Sequence, residues 1–128
     1  MKRILQDISI RLSAVPGFHN VRFILLYGST AEGRSNSGSD IDLAVYYEGP
    51  PDEASLFRYH ALMALDDSRY DLWIFQQLPL YIRVRALRGK ILYCPDLPFL
   101  YEVAYGTIRD YDAFKHRLFD YIGERALS

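Results

Sequence analysis

Two short apolar runs separated by a polar stretch restrict the fold of this 128-residue chain more than any other feature. The first, "VRFILLYG", ends at Gly28, and the second, "IDLAVYY", begins at Ile41. Short runs of β-branched, aromatic and aliphatic residues that stop at glycine or at polar residues are typical of buried strands. The chain is therefore expected to build a sheet around these two segments.

The rest of the chain predicts helices that alternate with further strands. Leu5, Ile8, Leu12 and Val15 lie three or four residues apart and predict a first helix that ends before Pro16. "RYDLWIF" and "KILYC" predict a third and a fourth strand, with Trp73 in the core and a helix from Pro79 to about Arg88 between them. Asp52 is expected to cap another helix, whose apolar face is predicted from these residues: Leu56, Tyr59, His60 and Met63.

This alternation predicts an α/β (α+β) fold in which helices flank a short, mixed β-sheet. One domain is expected over residues 1–128, because the chain is too short for two independent cores and has no long linker. A C-terminal helical region is predicted at about residues 98–126. Its apolar stripe consists of Tyr111, Phe114, Leu118, Tyr121 and Ile122, and Tyr121 is expected in the core.

Composition excludes several classes of function. The formal net charge of −1 provides no overall basic field, so generic nucleic-acid binding is not expected. Cys94 is the single cysteine, which excludes an internal disulfide framework and suits a reducing compartment. No apolar run approaches the length of a membrane span, and the N-terminus does not resemble a signal peptide, so a cytoplasmic protein is expected.

Asp40 and Asp42 are placed two residues apart at the head of the second apolar run. Side chains alternate between the faces of a strand, so the two carboxylates are expected to point the same way, a few ångströms apart. Like charges at that distance raise each other's pKa, and a cation relieves the repulsion. Hard oxygen ligands in this arrangement suit Mg²⁺, which completes its shell with water and substrate phosphates.

Gly28 and Ser29 precede this acidic pair, and the ten residues between Ser29 and Asp40 leave room for a short helix and a return to a neighbouring strand. Glycine lets the backbone approach a ligand closely, and a helix N-terminus can offer N–H groups to phosphate oxygens. Asp71, in the third predicted strand, is the candidate for a third carboxylate. It would serve as a metal ligand or as the general base on an attacking hydroxyl.

The stretch "GSTAEGRSNSGSDIDLAV" resembles the signature of the nucleotidyltransferase superfamily typified by DNA polymerase beta, and specifically its minimal, MNT-type branch. The segment "YDLWIFQQLPLYIRVRALRGKILYCPD" is similar to a later part of the same branch, so the resemblance covers about residues 21–96. It implies the nucleotidyltransferase fold, ATP as substrate and two Mg²⁺ ions as cofactors. It further implies that Gly28 and Ser29 hold nucleotide phosphates, and that the catalytic metal ligands are Asp40, Asp42 and Asp71.

One position departs from the branch. Its members often carry an arginine just before the glycine that follows the Gly-Ser turn, and Glu32 occupies that place here. Since an acid repels a triphosphate, either Arg34 binds the nucleotide instead or the affinity is reduced. Arg83, Arg85, Arg88 and Lys90 form a basic cluster near the proposed site that is interpreted as a solvated helix face, with binding of phosphate or of an acidic partner as the alternative.

The resemblance also implies a partner. MNT proteins commonly act beside a helical HEPN-domain protein as a toxin–antitoxin pair, and the MNT member can transfer AMP from ATP to a tyrosine of the toxin. The same function is expected here, and the oligomeric state is left open. The alternative is a catalytically weak or inactive MNT-fold antitoxin that neutralises its partner by binding alone. Tyr101, Tyr105 and Tyr111 in the C-terminal region are the candidates for its binding face.

Two other readings are weaker. Gly28, Gly33, Arg34 and Ser35 approach the P-loop pattern, but that motif requires lysine in place of Arg34 and a helix immediately afterwards. Transfer of a nucleotide to a small molecule such as an aminoglycoside would need an additional substrate domain, for which this sequence has no room.

Overall fold

The computed structural model describes residues 2–28 and 40–127 and contains a mixed four-stranded sheet. Strand β1 (Val21–Tyr27) is antiparallel to β2 (Ile41–Tyr47) on one side and to β4 (Lys90–Tyr93) on the other. Strand β3 (Tyr70–Ile74) lies parallel to β2 at the opposite edge, so the order is β3-β2-β1-β4. The predicted strands and the mixed character of the sheet are confirmed.

Four α-helices accompany the sheet in the described ranges: α1 (Lys2–Ser13), α2 (Pro51–Leu65), α3 (Leu80–Leu87) and α4 (Leu97–Leu127). Short 3₁₀ turns at Phe18–Asn20 and Phe75–Gln77 precede β1 and follow β3. Proline lies at the start of two helices, because its fixed φ and missing N–H are tolerated there. Pro51 is the first residue of α2, and Pro79 is the N-cap of α3.

Each face of the sheet has its own core, because successive side chains of a strand point to opposite faces. On one face, Ile24 and Leu43 pack with α1 and α2, whose buried residues include Ile8, Leu12 and Phe57. The other face carries a smaller core that includes Phe23, Leu25, Ala44, Phe75, Ala86 and Leu100, which brings in α3 and the start of α4. Helix α3 is thus placed beside β1 on the second face.

The prediction of which face of α2 is buried is wrong. The buried residues are Ala54, Phe57, Ala61 and Leu65, whereas Leu56, Tyr59 and Met63 are 56%, 61% and 60% exposed. His60 is half-buried and stacks loosely on Tyr59, with ring centroids 5.7 Å apart. Both stripes have helical spacing, and the one with two alanines packs on the sheet because small side chains allow close approach.

Asp52 does not cap α2. The N-cap is Pro50, and Asp52 lies in the first turn, where its Oδ1 accepts a hydrogen bond of 3.0 Å from the N–H of Glu53. An acid in the first turn still interacts favourably with the helix dipole. The expected cap therefore contributes through its charge rather than through a capping hydrogen bond.

Helix α4 occupies the predicted C-terminal helical region and differs along its length. Its first half packs against the body of the protein through Leu100 and Thr107, and the Thr107 hydroxyl donates a 2.7 Å hydrogen bond to the carbonyl of Val103. Further along, Phe114, Leu118, Tyr121 and Ile122 are exposed, so Tyr121 is not a core residue as expected. None of the helices in the described part of the chain has the length and apolar content of a membrane span.

Candidate active site

At one end of the sheet, the end of β1 lies beside the starts of β2 and β3, and acidic residues come together there. We call this end of the sheet the acidic edge. The antiparallel pairing places Tyr27, the last residue of β1, opposite Asp42 near the start of β2. The parallel pairing places Asp71 opposite Asp42 on the other side. Their neighbours Ile41 and Leu72 belong to the α1/α2 core, so by alternation Asp42 and Asp71 face the side of the sheet that carries α3.

Asp42 is the electrostatic centre of this edge. It is half-buried, and its pKa is raised first by burial, then by the negative charge of Asp71, then by that of Asp40. Arg85 on α3 acts in the opposite direction and lowers the pKa of Asp42. Since the raising effects win, the edge carries an excess of negative charge that a cation would relieve.

Tyr27 belongs to the same group of side chains. It is buried, and its pKa is raised to about 12 by burial and by the charges of Asp42 and Asp71, against a lowering effect of Arg85. The phenol therefore keeps its proton at an alkaline pH at which an ordinary tyrosine loses it. Sequence reasoning missed Tyr27, although its place directly before Gly28 at a strand end was a usable signal.

Gly28 follows Tyr27 and adopts a φ of 76°, a left-handed conformation that favours glycine. A Cβ atom at this position would overlap the Oδ2 atom of Asp42. The backbone of Gly28 and the carboxylate of Asp42 are therefore in direct contact. A glycine is required here by both the backbone conformation and the space.

Two of the predicted nucleotide-binding residues, Ser29 and Arg34, lie outside the described residues. The same holds for Glu32 and for Gly33 and Ser35 of the P-loop reading. The predicted roles of Ser29 and Arg34 stay predictions. Of the predicted phosphate cradle, the structure describes Gly28.

The described carboxylates fit Mg²⁺ by their chemistry. In residues 2–28 and 40–127, no three His, Cys, Asp or Glu side chains are placed together so that they could hold a metal ion. Mg²⁺ does not need such a cage, because it is commonly bound by one or two carboxylates and completes its octahedron with water and phosphate oxygens. Asp42 and Asp71 supply that number, and Asp40, exposed just before β2, adds to the negative charge around Asp42.

The four residues of the predicted basic cluster have different surroundings in the structure. Arg83 is committed to the protein backbone, since its Nε donates a 3.1 Å hydrogen bond to the carbonyl of Leu78. Arg88 and Lys90 are exposed. Arg85 alone acts electrostatically on both Asp42 and Tyr27, which separates it from its neighbours.

Trp73 does not fill the core as expected. It is 40% exposed on the edge strand β3, with the guanidinium of Arg58 over its ring at 4.0 Å. The Nε of Arg58 also donates a 2.6 Å hydrogen bond to the carbonyl of Leu72. Arg58 thereby occupies part of the free edge of β3, and edges of this kind are often blocked by charged side chains.

The sequence pattern of the family described as "Polymerase beta, Nucleotidyltransferase" matches residues 13–97. The chain belongs to this nucleotidyltransferase family. The matched range contains all four strands, Gly28 and the three aspartates. The family and the enzyme class expected from the sequence are thus confirmed, whereas the roles of the individual site residues stay predictions.

Known relatives of this nucleotidyltransferase include a Methanocaldococcus jannaschii protein assigned as a protein adenylyltransferase. It is 31% identical over 75 residues, which are 58% of this chain and 57% of that protein. The match therefore spans little more than half of the relative.

Solved structures confirm the nucleotidyltransferase fold. A chain from a toxin–antitoxin crystal structure with AMP-PNP has a TM-score of 0.73 at 21% identity, covering 94% of this chain and 96% of that chain. A chain from the complex of a tri-AMPylated Shewanella oneidensis HEPN toxin with an MNT antitoxin has a TM-score of 0.66 at 21% identity, covering 97% and 98%. At this identity the likeness establishes the fold alone.

Proposed function

We propose that this nucleotidyltransferase is an Mg²⁺-dependent protein adenylyltransferase that transfers AMP from ATP to a tyrosine of a cognate HEPN toxin in the cytoplasm. The observation that carries the proposal is the register of Asp42 and Asp71 on adjacent strands, beside the backbone of Gly28. The relative assigned as a protein adenylyltransferase and the AMPylated toxin in the Shewanella oneidensis complex support a HEPN toxin as the protein that receives AMP.

The reaction replaces a phosphoanhydride bond of ATP with a phosphoester bond to the acceptor. The acceptor hydroxyl oxygen bonds to the α-phosphorus of ATP, the bond from that phosphorus to the bridging oxygen breaks, and pyrophosphate leaves. Asp71 accepts the hydroxyl proton as general base. The protein contributes mainly by positioning the reactants and by balancing charge, as is usual for phosphoryl chemistry.

Asp42 and Asp71 would hold Mg²⁺, and Asp40 adds negative charge beside Asp42. When bound, the metal neutralises charge that develops on the attacking and leaving oxygens. Asp42 is suited to this position because its charge is already opposed by burial and by two like-charged neighbours. Gly28 leaves the space in which the Asp42 carboxylate lies.

The direct experiment combines the purified protein, the protein encoded next to its gene as the candidate HEPN toxin, labelled ATP and Mg²⁺. Covalent label on a tyrosine of the HEPN protein is expected with the wild type and is lost with Asp42→Asn or Asp71→Asn. Asp52→Asn on α2 is the matched control and should label normally, because Asp52 lies in the first turn of that helix, away from the acidic edge. Absence of label with the wild type, for every nucleoside triphosphate, would refute the proposal.

One observation favours a second candidate, an antitoxin that acts by binding alone. Helix α4 exposes Tyr101, Tyr105, Phe114, Leu118 and Ile122, and exposed apolar groups of this kind are common at protein interfaces. The two candidates differ in one outcome. If Asp42→Asn protein still neutralises the toxin fully in cells, binding suffices; if it fails while still forming the complex, transfer is required.

A further inference from the structure

Arg85 projects from a part of α3 that is firmly held at the acidic edge. The residues on either side of it, Val84 and Ala86, are buried, and Ala86 shares a core with Tyr27. Gly89, directly after the helix, packs against β1: a Cβ atom there would overlap the carbonyl oxygen of Leu26 and lie 3.0 Å from the Cα of Tyr27. The end of α3 is therefore fixed beside the end of β1, where Gly28 follows.

From this position Arg85 acts electrostatically on two neighbouring strands. Its positive charge lowers the pKa of Tyr27 on β1 and that of Asp42 on β2. A charge that acts on both strands must lie near the point where they meet. Arg85 is thus the basic residue of the described chain whose charge reaches both Tyr27 and Asp42.

The hydrogen-bonding groups of Arg85 are available. The side chain is exposed, and it makes no hydrogen bond or salt bridge with any other residue in the two described ranges. Arg83, by contrast, is bonded to the carbonyl of Leu78. Guanidinium groups present several N–H donors in a planar fork that matches phosphate oxygens.

We propose that Arg85 binds the phosphate chain of the nucleoside triphosphate and neutralises part of the charge of the departing pyrophosphate. This inference rests on the proposed nucleotidyl transfer. A triphosphate that enters this edge meets Asp40, Asp42 and Asp71, and each of these carboxylates repels it. A cation on the facing helix offsets that repulsion without competing with the carboxylates for metal.

The test measures equilibrium binding of AMP-PNP in the presence of Mg²⁺ by calorimetry, with no acceptor protein. Arg85→Ala should weaken binding on the order of tenfold to a hundredfold, the range for loss of a hydrogen bond between charged groups. Arg85→Lys should recover part of the affinity, because it keeps the charge and loses the fork. Arg88→Ala is the matched control, since Arg88 is an exposed arginine at the C-cap of the same helix.

Three outcomes overturn the inference. Arg85→Ala binds AMP-PNP within twofold of the wild type; or Arg88→Ala weakens binding as much as Arg85→Ala; or the wild type binds no nucleotide. The first two leave the proposed function standing, and the third removes it as well. Circular dichroism and the thermal midpoint of Arg85→Ala should match the wild type, which excludes misfolding as the cause of weaker binding.

Discussion

The Cα of Gly28, at the end of β1, faces the carboxylate of Asp42 on β2 so closely that no side chain fits between them. The positive φ of Gly28 carries the backbone through this narrow position. The backbone conformation of Gly28 and the position of the Asp42 carboxylate consequently depend on each other. A change at either residue should affect the other.

Gly28→Ala should abolish nucleotidyl transfer and destabilise the protein by on the order of 1–2 kcal/mol. The added methyl group both strains the backbone and displaces the Asp42 carboxylate. Transfer assays and urea unfolding measure the two effects. Gly106→Ala is the control: a Cβ atom there meets nothing within 4 Å, so the variant should stay active and gain up to about 1 kcal/mol in helix α4. Full activity of Gly28→Ala would show that the contact with Asp42 is unimportant.

Asp42→Asn should stabilise the metal-free protein. Burial and the charges of Asp71 and Asp40 raise the pKa of Asp42, so the ionised carboxylate costs free energy when the protein folds. Removal of a like-charged cross-strand pair is worth about 0.2–1 kcal/mol. Urea unfolding at pH 7 with EDTA measures the change, and Asp52→Asn should show no such gain. A loss of stability in Asp42→Asn would mean that its charge is already compensated.

Mg²⁺ should make the wild type more stable than Asp42→Asn. A ligand at 100 times its dissociation constant stabilises the folded state by about 2.7 kcal/mol. The midpoint temperature of thermal unfolding of the wild type should therefore rise with Mg²⁺ and fall back to its metal-free value when EDTA removes the ion. Asp42→Asn and Asp71→Asn should show little shift, because each removes a carboxylate ligand. Equal shifts in all three proteins would place the ion elsewhere.

The raised pKa of Tyr27 predicts that the protein loses stability at alkaline pH. Its pKa of about 12 in the folded state exceeds the ordinary value of 10.0, so between these values the folded protein holds a proton that the unfolded chain releases. Stability that is fully present below pH 10 is thus lost as the pH rises towards 12, by on the order of 1–2 kcal/mol. Urea unfolding at pH 9 and pH 11.5 should show a smaller loss in Tyr27→Phe. An identical pH dependence in both proteins would contradict the burial of this phenol among negative charges.

The sheet could be predicted from sequence because its strands carry strong local signals. The runs around Leu25 and Leu43 are apolar, and alternation along β2 places Asp42 on the opposite face from Leu43 whatever the rest of the chain does. The pairing of Asp42 with Asp71 follows once β3 is recognised as a neighbouring strand. These features depend on short stretches of sequence.

The face of α2 and the position of Arg85 could not be predicted in this way. On α2, a stripe that begins at Leu56 competes with one that begins at Ala54, and the second is buried because its alanines allow close approach to the sheet. Arg85 reaches the acidic edge because Gly89 packs against β1, a contact between segments far apart in sequence. Both features depend on tertiary packing, which periodicity does not report.

The most direct measurement is a crystal structure of the protein with Mg²⁺ and AMP-PNP. Mg²⁺ is expected to be coordinated by oxygen atoms of Asp42 and Asp71, with Asp40 beside them, and phosphate oxygens are expected next to Gly28 and Arg85. Nucleotide bound elsewhere, or these carboxylates turned away from any metal ion, would contradict the proposed site.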